Sequence, residues 1–132
     1  MSEPRLASVV LGAPDPQRLG AFYREFLGWL VVDDEPDWVK LKHPGGGTGI
    51  AIQVETQYVR PVWPGNGSDR QLQAHLDIGV PDLAAGVARA VALGAVLADH
   101  QPQHDIAVML DPDGHPFCLF ADIPTGSGEM DA

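Results

Sequence analysis

Cysteine is nearly missing from this chain: Cys118 is the only one in 132 residues. That excludes an intrachain disulfide and any site built from several thiolates of one chain, and it makes a reducing cytoplasm the expected home. Basic residues are scarce as well. Eight Lys and Arg stand against 18 Asp and Glu, a formal net charge of -10 at pH 7, which opposes approach to phosphate backbones and to anionic lipid. Neither nucleic acid nor a membrane is an expected partner. No apolar run reaches the roughly 18 to 20 residues of a membrane span. Met1-Ser2-Glu3-Pro4-Arg5 also lacks the pattern of an export signal.

What is present is ordinary globular material, with 45% hydrophobic and 20% charged residues. The length suits a single domain and is too short for two independently stable ones. Within it one unit occurs twice. Ser8-Val9-Val10-Leu11-Gly12-Ala13-Pro14-Asp15 returns with the same punctuation as His75-Leu76-Asp77-Ile78-Gly79-Val80-Pro81-Asp82, and Leu27-Gly28 returns as Leu93-Gly94. The two copies are expected to share one core.

Each copy reads as strand, helix and three strands. Leu6 to Leu11 suits a strand buried on both faces. Asp15 before Pro16 starts a helix, and Leu19, Phe22, Tyr23, Phe26 and Leu27 form its apolar stripe up to Gly28. Strands are expected at Trp29 to Val32, Trp38 to Leu41 and Gly49 to Val54. Turns at Asp33-Asp34-Glu35-Pro36 and Pro44-Gly45-Gly46-Gly47 separate them. The second copy gives a strand from His75 to Val80 and a helix from Leu83 to Leu93. Further strands follow at Val96 to Asp99, Ile106 to Leu110 and Pro116 to Ala121. Module one thus spans about 6–54, a connecting loop 55–71, module two 72–122 and a frayed tail 123–132.

Three segments in order carry a resemblance to the vicinal oxygen chelate superfamily of glyoxalases, bleomycin resistance proteins and extradiol dioxygenases. They are Ala21-Phe22-Tyr23-Arg24-Glu25-Phe26-Leu27-Gly28, His75-Leu76-Asp77-Ile78-Gly79-Val80-Pro81-Asp82 and Asp111-Pro112-Asp113-Gly114-His115-Pro116-Phe117. The chain is similar to the glyoxalase-like branch in particular. The resemblance implies an α+β fold in which two βαβββ modules form a cup-shaped, curled eight-stranded mixed sheet with helices outside. Relatives often dimerise, so a homodimer is expected. Metal-dependent members hold a divalent ion in the cup, with one ligand on the first and one on the last strand of each module.

Those places fall on Ser8 and His75, each seven residues before its Asp, and on Gln53 and Cys118, each four residues past a glycine. A serine hydroxyl and a neutral Gln carbonyl are weak ligands for Ni, Zn, Mn or Fe, and both expected carboxylates are missing. The expectation is therefore no metal cofactor. The alternative is a divalent metal held by Gln53 and His75, completed by a partner chain.

His75 suits metal binding, acid–base work or hydrogen bonding to a ligand, set against a structural imidazole. Asp77, on the same strand face, is positioned to orient it or to add an acceptor. Cys118 reads either as a nucleophile activated by His75 or as a small buried hydrophobe. Trp38, Tyr58 and Trp63 offer flat faces to an aromatic ligand or pack in a core, and Arg70 offers a fork to a carboxylate or is a solvated loop charge. His43, His100, His104 and His115 read as surface residues, and Asp111-Pro112-Asp113-Gly114 as a hairpin turn. The functional expectation is a protein of this superfamily that binds a small organic molecule in a concave pocket without metal. A metal-dependent lyase, isomerase or dioxygenase is the alternative.

Overall fold

A computed structural model describes residues 4–62 and 74–122. The chain divides into two compact units, Met1–Val59 and Arg60–Ala132. The fold is α+β, and each unit is one βαβββ module. No helix among the described residues is long and apolar enough to cross a membrane.

In the first unit, β1 (Ser8–Ala13) leads into α1 (Pro16–Leu27), then β2 (Leu30–Glu35), β3 (Trp38–Lys42) and β4 (Gly49–Val54). The sheet order is β1-β4-β3-β2. Parallel pairing of β1 with β4 sets Ser8 against Gly49 and Gly12 against Gln53, while β3 and β4 run antiparallel. Asp15 starts α1 by accepting from the backbone N–H groups of Gln17 and Arg18. Gly28 ends it at φ 71° with its N–H on the Arg24 carbonyl. A residue with a Cβ would be strained there, which is why the helix stops at a glycine.

The core of this unit lies between α1 and one sheet face. Val39, Leu41, Ile50 and Ile52 alternate toward Leu19, Phe22 and Tyr23, all buried. Close approach is possible because Gly20 faces Val39: a Cβ there would lie 2.8 Å from Val39 Cγ1. The other face carries Ser8, Val10, Trp38, Lys40, Lys42, Ala51 and Gln53.

Two expectations need correction here. β1 is an edge strand of its sheet, not one buried on both faces, and Val10 is 48% exposed. β2 runs on through Asp33, Asp34 and Glu35, which composition assigns to a turn. A two-residue turn at Pro36-Asp37 suffices for the hairpin, and on a solvent-facing edge strand the carboxylates stay hydrated while pairing with β3.

The second unit repeats the plan with β5 (Leu76–Val80), α2 (Leu83–Ala92), β6 (Val96–Leu97), β7 (Ile106–Leu110) and β8 (Pro116–Ala121), in sheet order β5-β8-β7-β6. Asp82 accepts from the Ala85 N–H. At the other end the Ala95 N–H reaches the Ala90 carbonyl and Gly94, at φ 119°, donates to Val91. That bond pair is a Schellman motif. Ala107, Met109, Phe117 and Leu119 fill the helix-facing side of this sheet.

Candidate functional site

The open face of the second sheet holds a cavity of about 280 Å³, lined by His75, Asp77, Pro102, Gln103, Ile106, Val108, Cys118 and Phe120. Strand alternation explains the lining. Ile106 and Val108 on β7, and Cys118 and Phe120 on β8, have the parity opposite to the helix-packed residues. Asp77 is the register partner of Cys118, and His75 stands two residues earlier on the same side. The floor is apolar, with Cys118, Val108 and Ala98 packed together under Ile106 and Leu110.

At one end of the cavity His75 Nε2 lies 3.1 Å from Asp77 Oδ1, with the two side chains 33% and 65% exposed. A carboxylate at that distance fixes the orientation of the ring. The Cys118 sulfur belongs to the same cluster: donor atoms of His75, Asp77 and Cys118 all lie within 4.8 Å of one another. Burial, and secondarily the Asp77 charge, push the Cys118 thiol up. An imidazole, a carboxylate and a thiol at this spacing are a chemically suitable donor set for a thiophilic divalent ion, with room for a further ligand.

Far wall and turn are fixed by polar side chains. Gln101 Nε2 donates to the carbonyls of Ala98 and Val108, both at 2.8 Å, and its Oε1 accepts the Val108 N–H at 2.9 Å. The amide acts as a short extra strand and anchors the segment carrying Pro102 and Gln103. Between β7 and β8, Asp111 Oδ1 accepts the N–H groups of Asp113 and His115, and His115 Nδ1 lies 2.8 Å from Asp111 Oδ2. His115 is therefore not the surface residue that its polar surroundings suggest. His43, His100 and His104 are exposed as expected.

The structure brings His75, Asp77 and Cys118 together and leaves Ser8 apart from Gln53. Ser8 pairs with Gly49 at one end of β4, and Gln53 lies four residues along, a separation of about 13 Å on a strand. Counting four residues past a glycine is not equivalent in the two modules. By register the counterparts of Asp77 and Cys118 are Val10 and Ala51, and the counterpart of Phe120 is Gln53. The first sheet's open face thus has Ser8, Val10 and Ala51 where the second has His75, Asp77 and Cys118.

Trp38 is the cross-strand neighbour of Gln53, and its Nε1 donates to Asp33 Oδ2 at 3.1 Å. Tyr58 is half-buried, in the segment after β4. Trp63 and Arg70 lie outside the described residues. Sequence reasoning missed Ile106, Val108, Phe120, Pro102 and Gln103. Strand parity with Cys118 could have found the first three.

Residues 8–120 match the family described as the Glyoxalase-like domain. No curated protein matches the chain significantly. Among solved structures, the chain is similar to a glyoxalase-related enzyme from Fulvimarina pelagi, at 21% identity over 98% of this chain and 99% of that one, TM-score 0.67. A glyoxalase/bleomycin resistance protein/dioxygenase family enzyme from Burkholderia phytofirmans PsJN gives 18%, 88% and 97%, with TM-score 0.67. TnmS3, an antibiotic binding protein from Streptomyces sp. CB03234, gives 20%, 92% and 98%, with TM-score 0.59. At such identities the structural likeness establishes the fold, and the match over residues 8–120 establishes membership: this chain belongs to the glyoxalase-like domain family of the vicinal oxygen chelate superfamily.

Proposed function

We propose that this protein binds a small organic molecule in the cavity of its second unit, without requiring a metal. The observation that carries the reading is the composition of that cavity. Ile106, Val108, Pro102 and Phe120 supply apolar wall, while His75 and Asp77 form one polar end and Gln103 adds an amide. A mostly apolar pocket with few convergent polar groups is what a compact ligand needs for affinity and orientation. At about 280 Å³ it accepts one ring system with a short substituent. Asp77 favours a cationic or hydrogen-bond-donating group, and the net charge of -10 attracts a cation at long range. Antibiotic binding by TnmS3, on the same fold, supports sequestration as the purpose. The same reading takes the protein to be a cytoplasmic homodimer that meets small molecules.

The donor cluster favours one second reading: a divalent ion held by His75, Asp77 and Cys118, serving a lyase, isomerase or dioxygenase. Such an ion would supply Lewis-acid chemistry to a bound substrate.

The two readings separate in a thermal-shift screen of cationic and aromatic compounds, run with and without prior chelation and paired with metal analysis. Binding to N alone raises the melting temperature by mass action. The expected result is a compound that stabilises chelated wild-type protein and loses at least roughly tenfold in affinity with Asp77→Asn or Phe120→Ala. Stabilisation seen only in metal-loaded protein, with stoichiometric metal lost in His75→Ala, overturns the metal-free reading in favour of the second.

A further inference from the structure

Cations are few in this chain, and those of the first unit are unevenly placed. Both lysines, Lys40 and Lys42, lie on β3 on the face away from α1. Arg5 precedes β1 at the end of the sheet where β3 finishes. Arg5 and Lys42 line a cavity of about 350 Å³ together with Leu6, Ala7, Gly47 and Thr48. No carboxylate lines it among the described residues. Among the described residues, none of Arg5, Lys40 and Lys42 makes an ion pair.

The rim of this cavity is built by the β3–β4 turn. His43 accepts from the Gly46 N–H through its carbonyl and from the Gly45 N–H through Nδ1. Gly46 and Gly47 follow at φ 93° and 97°, a backbone that side chains rarely adopt. Thr48 Oγ1 then donates to the Leu6 carbonyl and Gly49 N–H to Ala7, which staple the turn to the segment entering β1. Those bonds leave the N–H groups of Gly47 and Thr48 without a protein acceptor among the described residues. Gly49 is required first by the β3 backbone, since a Cβ there would lie 2.6 Å from the Leu41 carbonyl oxygen. The lysine stems pass beside it, with Lys42 Cγ at 3.3 Å and Lys40 Cε at 3.6 Å from that position.

Arg5 and Lys42 thus face one cavity without an ion-pair partner among the described residues, whereas Lys40 has Asp33 as its cross-strand neighbour. Like charges close together repel, and an anion between them relieves that repulsion. We propose that this cavity binds the phosphoryl group of a small organic molecule. Arg5 offers a planar fork, Lys42 a mobile point charge with Lys40 behind it, and Gly47 and Thr48 two backbone donors. Two cationic groups with two backbone donors match a phosphoryl dianion better than a carboxylate monoanion. The described lining of the site lies wholly in the first unit.

Inorganic phosphate is the probe, titrated into isotopically labelled full-length protein and followed by amide NMR. Sodium chloride at equal ionic strength and sodium acetate serve as separate arms. Saturable shifts of the Gly47 and Thr48 amides with phosphate are expected, weakened roughly tenfold or more in Arg5→Gln/Lys42→Gln. Shifts that do not saturate, that chloride reproduces, or that survive in the double variant overturn the site. Equal shifts with acetate overturn the phosphoryl assignment. Should the double variant fail to fold, Arg5→Gln alone carries the test, because Arg5 lies outside every helix and strand.

Discussion

Cys118 has the position of a reactive thiol and the environment of an inert one. It stands beside His75 and Asp77, yet is only 6% exposed and packs on Val108 and Ala98. Burial first, and the Asp77 carboxylate second, disfavour the thiolate, which is the nucleophilic form. Alkylation of the folded protein by iodoacetamide at pH 7 is therefore expected to be at least about tenfold slower than that of a free cysteine. Its rate should go on rising well beyond pH ~8.5, where an unperturbed thiol levels off. Asp77→Asn should move that rise to lower pH. The same shift carries a stability consequence. The folded state keeps the thiol proton to higher pH than the unfolded chain does. The contribution is thus complete below the unfolded value and lost as pH climbs through the folded one. A wild-type alkylation rate matching free cysteine at pH 7 would show that the packing around the sulfur does not hold in solution.

At the scale of elements, β6 is two residues long, and its backbone pairing with β7 is extended past Leu97 by the Ala98 N–H on the Val108 carbonyl and by a side chain. Gln101 ties Ala98 to Val108 by three hydrogen bonds. Gln101→Ala removes all three and leaves the Val108 N–H in a part-buried position without its acceptor, a loss of about 1–3 kcal/mol. The denaturation midpoint should drop with an unchanged m value, and hydrogen exchange at Val108 should quicken more than exchange in β1. An unaltered midpoint would mean that backbone pairing alone fixes this edge. Helix boundaries in both modules were legible in the sequence because capping is local: Asp15, Gly28, Asp82 and Gly94 act on residues within a turn of themselves. The site was only half legible. His75, Asp77 and Cys118 could be chosen from residue type and strand face, but pairing across β4 and β8 depends on where each strand begins. Gly49 opens β4, whereas Gly114 belongs to the turn that Asp111 holds, two residues before β8. That difference moved Gln53 out of register with Cys118. His115 was misread for a related reason, since a polar turn is indistinguishable from a solvated one until Asp111 is known to be 1% exposed.

Across the whole molecule, duplication has preserved scaffold and not chemistry. Both modules keep the capping Asp, the helix-ending glycine and the strand order, while their open faces have diverged. One carries Lys40 and Lys42, the other His75, Asp77 and Cys118. This contrast sits within a net charge of -10, which opposes compaction because the folded state holds its charges closer than the unfolded chain does. Screening should relieve that repulsion. Between about 10 mM and 150 mM salt the Debye length falls from roughly 30 Å to 8 Å. Sodium chloride is therefore expected to raise the melting temperature by a few degrees, a gain on the order of 1 kcal/mol for a domain of this size. A melting temperature that falls or stays level over that range would show that local ion pairs outweigh the net repulsion. Phosphate at matched ionic strength should add a further rise that chloride lacks, and Arg5→Gln/Lys42→Gln should abolish only that increment. General screening and site occupancy would then be separated in one protein, because the first acts on every carboxylate and the second on two cations.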